Sequence, residues 1–359
     1  MSIFDQKVIK YEMKPLSSLE KVFPDETPVY RMECQMLSGL WGETVSFQVA
    51  YMGDYFMRER LDVRVVSELA EHVHVRTVEM VPVGRATNGI VDDNYLKTTS
   101  GLYPDLLKDL KDGKVIVYSR QWRSLWVDVD ITNEIPAGEY EIELQLIKEG
   151  EVVCSAKQKV TVIGTELPKL DIMHTEWMHA DCLADYYHVE VFSEEHWKLL
   201  ENYFQEYVKR DCNMMLTPLF TSPLDTAIGL ERTTCQLIDV EVKDGEYVFG
   251  FEKLKRWIDL CKKCGIEYFE MSHLFSQWGA KYAPKVVATV NGKKEKIFGW
   301  HTPAVGEYTK FLESFLPQLT AKLREWGIAD ATYFHISDEP REEHLESYKA
   351  AKESLGNML

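Results

Sequence analysis

The stretch Ala331-Thr332-Tyr333-Phe334-His335-Ile336-Ser337-Asp338-Glu339-Pro340-Arg341-Glu342-Glu343 decides how the second half of this chain is read. Residues 331–336 read as a buried strand. Asp338 and Glu339 follow where the strand runs out, and Pro340 suits the first turn of a helix, where its missing N–H costs nothing. In a parallel α/β sheet or barrel, the carboxyl ends of the strands form the working face. Two adjacent carboxylates there are either a solvated helix start or an acid pair held over a pocket. We read them as an acid pair.

Working back from that stretch, residues 170–359 alternate strand and helix. Strands are expected at 170–173, 213–220, 266–269 and 331–336. Helices are expected from an N-capping Ser193 with Glu194 and Glu195 in the first turn, over 251–264 closed by Gly265, over 307–326 with a kink at Pro317, and over 340–355. Trp197, Leu200, Phe204 and Tyr207 recur at helical spacing. Such alternation implies parallel strands covered by helices. Two insertions, 236–250 and 286–298, read as hairpins turning at Asp244-Gly245 and Asn291-Gly292. Both follow strands, which puts them on the strand-end face. A closed (β/α)8 barrel takes eight strands and about 250 residues. Four β/α units fit between 166 and 359: either the N-terminal half of such a barrel, in a chain that stops before the barrel closes, or an open four-stranded sheet, and the half-barrel is the expectation.

The first 165 residues have another rhythm. After a mixed leader over 1–28, strands are expected at 29–37, 43–52, 61–66, 73–83, 115–118, 124–131, 140–148 and 152–163. Many alternate in polarity. Short strands separated by turns imply a β-sandwich, taken as an accessory domain over 1–165. Gly164 and Pro168 mark the linker.

The bulk numbers exclude several classes. The 359 residues carry a formal charge of −17, so neither a nucleic acid nor an anionic membrane is an expected partner. Seven Cys fall without framework spacing, and the one C-x-x-C, Cys261 and Cys264, lacks the second pair of a zinc site. His174 and His179 lack the helical i, i+4 spacing of a zinc pair, so no metal and no cofactor is expected. There is no phosphate loop and no G-x-S-x-G elbow. The first residues show no basic segment followed by an apolar run, and the expected location is cytoplasmic.

The chemistry returns to Asp338 and Glu339. Glycoside hydrolysis needs a proton on the leaving oxygen and something to stabilise a positive anomeric carbon. Glu339 has the reach to donate that proton. Burial and a neighbouring carboxylate would help it keep the proton, and a helix starting at Pro340 would oppose this. Adjacent residues do not easily flank a glycosidic bond as separate acid and nucleophile. The pair better suits a retaining, substrate-assisted scheme in which the sugar's own 2-acetamido oxygen attacks. Asp338 then orients that amide and Glu339 protonates the leaving group. Against this stands the plain reading of an N-capping Asp beside a solvated Glu.

Four motifs run in order along the chain: Gly42-Glu43 with Ser46-Phe47-Gln48, Tyr103-Pro104-Asp105-Leu106-Leu107, Pro136-Ala137-Gly138-Glu139-Tyr140, and His335-Ile336-Ser337-Asp338-Glu339-Pro340. With them the chain resembles glycoside hydrolase family 123 and its relatives, the "domain of unknown function 4091" proteins, over about residues 20–350. The resemblance implies a β-sandwich followed by a (β/α)8 barrel, and β-N-acetylgalactosaminidase activity through an Asp-Glu pair with neighbouring-group participation. Asp338 and Glu339 match that pair one for one. The departure is the C-terminal half of the barrel, which in the family helps line the sugar pocket.

The other strand ends supply candidate substrate-binding residues. Glu176, Trp177 and His179, with Asp181, follow the first strand, and Asp225 follows the second. Glu270, His273, Gln277 and Trp278 follow the third, and Trp300 with His301 follows the second hairpin. Two rivals stay open: a non-catalytic carbohydrate-binding or structural protein, and a glycosidase with separated carboxylates such as Glu270 and Glu339 acting on sugars without the acetamido group.

Overall fold

The computed structural model describes residues 10–29, 36–54, 58–169, 171–224, 229–277, 279–339, 341–356 and 358. The chain divides into two compact units, 1–169 and 170–359.

Ten strands among the described residues build the first unit: β1 (Tyr11–Ser17), β2 (Met36–Trp41), β3 (Thr44–Gly53), β4 (Glu59–Val66), β5 (Val73–Val83), β6 (Gly101–Asp109), β7 (Lys114–Val117), β8 (Arg123–Asp130), β9 (Gly138–Lys148) and β10 (Glu151–Glu166). They form two five-stranded sheets, ordered β1-β3-β8-β5-β6 and β2-β10-β9-β4-β7. Side-chain alternation explains the core. Ile142, Leu144 and Leu146 of β9 are buried while Glu143 and Gln145 between them are not. Phe47 and Val127 from one sheet meet Leu144 and Val160 from the other in one cluster. The sequence reading leaves out β1 and β6. Each carries a proline, Pro15 and Pro104, and each lies at an edge of its sheet, where a missing N–H breaks no interior ladder bond. Most of the strand expected over 29–37 lies outside the described residues, and β2 begins at Met36.

The second unit places three parallel strands side by side, β11 (Met214–Thr217), β14 (Tyr268–Met271) and β17 (Thr332–Phe334), with β14 in the middle. This open sheet, not a closed (β/α)8 barrel, is what the described residues contain. The strand expected at 170–173 is absent from the described part of that segment. Residues 172–174 instead run along β11 through irregular bonds: Asn213 and Met214 donate backbone N–H groups to the His174 carbonyl, each at 3.1 Å, and the Asn213 side chain bridges Ile172 and His174. The Asn213 amide takes the place of a ladder.

The helices are α1 (Ala180–Tyr187), α2 (Glu194–Val208), α3 (Glu252–Cys264), α4 (Glu307–Glu325) and α5 (Leu345–Gly356). The expected caps are in place. Ser193 Oγ accepts from the His196 backbone N–H at 3.2 Å, and Gly265 closes α3 at φ 104°. Ser193→Ala should therefore lower stability by about 1 kcal/mol, read from denaturant unfolding. α4 runs through Pro317. α1 was not foreseen, and α5 begins at Leu345, after a 3-10 turn over Glu342–His344, rather than at Pro340, which lies outside the described residues.

Both expected hairpins form: β12 (Asp239–Lys243) with β13 (Glu246–Gly250), and β15 (Val286–Val290) with β16 (Lys293–Phe298). Their turn residues Asp244, Gly245, Asn291 and Gly292 all have φ between 49° and 83°, as a two-residue turn of this hand demands. β12 also pairs in parallel with β15, so the two insertions fuse into one four-stranded sheet. Among the described residues no helix is long and apolar enough to cross a membrane.

Candidate active site

Glu270 organises the carboxyl ends of the parallel strands. Alternation along β14 sends Phe269 and Met271 into the helix-covered core and Glu270 to the other face. Its carboxylate is 2% exposed and takes donors from two neighbouring segments. Thr175 Oγ1 donates at 2.9 Å to one oxygen, and Trp177 Nε1 donates at 2.9 Å to the other, which also pairs with His335 Nε2. Burial alone would push this carboxyl up, but the hydrogen bonds from His335, Thr175 and Trp177 together outweigh it and hold the group below its ordinary range.

The chain just past the strands stays in step. Leu274 and Phe275 donate their N–H groups to the carbonyls of His335 and Ile336 at 3.3 and 3.1 Å. This brings His273 and His335 together, with ring centroids 4.5 Å apart and planes 21° from parallel. Trp177 stands edge-on to both, at 5.3 Å from His273 and 6.2 Å from His335. His273 is 1% exposed, and neither ring nitrogen has a hydrogen-bond partner among the described residues. Burial, with help from His335, lowers its pKa to about 4 against the pull of Asp338 and Glu270. The ring is therefore neutral at neutral pH.

Asp338 and Glu339 sit in the loop after β17. Gln277 Nε2 donates to Asp338 Oδ2 at 3.1 Å, and the buried Tyr348 of α5 donates its hydroxyl to the Asp338 carbonyl at 2.5 Å. Ser337 Oγ donates to the Ser276 carbonyl at 2.5 Å. Asp338 is half-buried, whereas Glu339 is exposed and adopts φ 49°. That left-handed backbone costs a non-glycine residue on the order of 1–2 kcal/mol. Neither the burial of Glu339 nor a helix start beside it is found, because α5 begins at Leu345.

Residues 177–359 match the family model described as "Glycoside hydrolase 123, catalytic domain". The chain belongs to glycoside hydrolase family 123. A solved family 123 glycoside hydrolase from Clostridium perfringens, described for glycolipid glycan hydrolysis, matches with TM-score 0.69 at 15% identity. The match covers 95% of this chain and 60% of that one, and at this identity it speaks for the fold. A β-glucosidase from Listeria innocua (TM-score 0.20, 11% identity, 45% of this chain and 17% of that chain) and the N-terminal domain of PorA (TM-score 0.21, 11% identity, 41% and 99%) are too distant to carry an argument. None of the curated proteins matches the chain.

In this family 123 chain, Trp177, Glu270 and His273 come together as one cluster, and the field of Asp338 reaches it. Glu176 does not join. Thr175 and Trp177 both turn to Glu270, so the residue between them points away, where it is 75% exposed and pairs with His174 at 3.5 Å. His179 is half-buried at the N-cap of α1, on a hollow of about 10 Å3 shared with Leu216, Pro218 and Ser272. Asp181 is taken up by Arg232, in a two-pronged pair at 2.8 and 3.0 Å. Trp300 is half-buried in the turn after β16 and takes part in none of the hydrogen bonds or ring contacts that hold the cluster together. His301 is exposed beside it. Asp225 and Trp278 lie outside the described residues.

The sequence reading gave no role to His335 or Thr175. The one local signal for His335 was its place just past the end of β17, three residues before Asp338. A larger groove of about 350 Å3 between α2 and α3 is no rival site. Arg256 already holds Glu194 at 2.6 and 2.8 Å there, and Lys263 holds Glu201 at 2.5 Å. Among the described residues no group of three or more His, Cys, Asp or Glu is placed to hold a metal ion.

Proposed function

We propose that this chain is a glycoside hydrolase acting on β-linked 2-acetamido sugars of the N-acetylgalactosamine type, with retention and by substrate assistance. Asp338 orients the acetamido group for attack on the anomeric carbon, and Glu339 protonates the leaving oxygen and later activates water. The observation that carries this reading is the unequal setting of the two neighbouring acids. Asp338 is half-buried and anchored at backbone and side chain, as an orienting group must be. Glu339 is exposed on a left-handed backbone, as a group that must reach a leaving oxygen can be. Family membership and the Trp177 indole, 39% exposed and fixed by Glu270, support it further. In this reading residues 170–359 are the catalytic domain and the first unit is accessory.

The rival with separated carboxylates gains no support from Glu270. That group is buried, ionised and occupied by three donors, so it has little capacity left for a nucleophile's or acid's part. The test is release of 4-nitrophenol from β-N-acetylgalactosaminide, β-N-acetylglucosaminide and β-galactoside. Turnover of the first, none of the last, and inhibition by a thiazoline that mimics the cyclised acetamido group are expected. Equal turnover of the galactoside would refute substrate assistance.

A further inference from the structure

Glu270 is acceptor-only when ionised, so a His335 ring facing it through Nε2 must present an N–H there. In the neutral ring this leaves Nδ1 as a lone-pair acceptor. Nδ1 has no protein hydrogen bond among the described residues, and the side chain is 37% exposed. His273 has the opposite setting, since both of its nitrogens are sealed from solvent. Its neutral ring covers one face of His335, and the Trp177 edge flanks both rings, so the imidazole plane is held from two sides.

We propose that His335 is a ligand-contacting residue of this site, its Nδ1 accepting a hydrogen bond from a hydroxyl of the bound sugar. Glu270 is the positioning residue that fixes the ring's tautomer for that contact. The assignment rests on reading the site as a carbohydrate site, and it adds an imidazole acceptor three residues before Asp338. A hydroxyl is the matching donor, because in that reading the acetamido N–H is taken by Asp338.

The test is calorimetric titration of N-acetylgalactosamine into the protein and three variants, alongside imidazole nitrogen NMR of the unaltered protein. His335→Asn can place an amide oxygen near the position of Nδ1 and should keep affinity within about threefold, whereas His335→Gln reaches Glu270 but offers nothing at Nδ1 and should lose roughly tenfold, the order of one net hydrogen bond. Glu270→Gln should weaken binding and turn the single His335 tautomer into a mixture. In the unaltered protein, saturating sugar should shift the Nδ1 resonance. Equal affinities of the Asn and Gln variants, an unmoved Nδ1 resonance, or no sugar binding by the unaltered protein would each overturn the assignment. Missing turnover with the binding pattern intact would sink the hydrolase reading alone. Retained turnover with a flat variant pattern would sink this one alone.

Discussion

Glu339→Gln is expected to lower kcat by about 10²–10⁴-fold on a substrate whose leaving group is a sugar or alkyl alcohol, with KM little changed. The substitution keeps the shape and removes the proton, so the loss falls on bond cleavage rather than binding. An alkoxide leaves poorly without that proton. 4-Nitrophenolate leaves well unaided, so the same variant should retain a much larger share of its rate on the aryl glycoside. Asp338→Asn should behave differently. Under the proposed mechanism it weakens the hold on the acetamido group, whose attack would be needed whatever the leaving group, and the loss should be similar on both substrates. Gln277 donates to Asp338 Oδ2, so an amide there must also rotate to offer Gln277 its oxygen. Steady-state kinetics on a matched pair of glycosides checks both claims. Equal losses for Glu339→Gln on the two leaving groups would remove it from the acid's role.

Acid should destabilise the second unit by roughly 3 kcal/mol between pH values near 6.5 and near 4, through His273 alone. The ring's pKa falls from the usual 6.5 to about 4, first because of burial and then because of His335, while Asp338 and Glu270 oppose the change. In that window the unfolded chain binds the proton and the folded chain does not, so stability falls as pH falls. Glu270 acts in the same direction. Its carboxyl is held below the ordinary range by its three donors despite burial, so its contribution is present above the unfolded value and is lost as pH drops through the folded one. His273→Leu removes two buried nitrogens that have no partner, and it should flatten the pH dependence at little cost near neutrality. Amide hydrogen exchange of β14 and α3 across the window reads this unit separately from the first. An unchanged slope in His273→Leu would assign the acid sensitivity elsewhere.

The candidate site was partly legible for a physical reason. Strand-end residues were found wherever polarity changed abruptly along the chain, as at Glu270 and His273. Which of them face one another was not legible. Glu176 drew attention as an acid at a strand end, yet the alternation that turns Thr175 and Trp177 to Glu270 turns it to water. His335 escaped because its meaning lies in a partner 65 residues away.

The fold divides along the same line. Ser193, Gly265, Asp244-Gly245 and Asn291-Gly292 were read directly from the chain, because a cap or a two-residue turn depends on dihedral angles and hydrogen bonds within a few residues. Strands β1 and β6 were not, since an edge strand with a proline buries too little to show a period. Nor could any local pattern announce that the two hairpins join in one sheet, that residues 172–174 lie along β11 without a ladder, or that α5 starts at Leu345. Local chemistry set where elements and turns begin and end. Long-range packing alone decided that Glu270 is buried and held by three donors while Glu176 faces water, because burial and charge are properties of neighbours that the sequence keeps far apart.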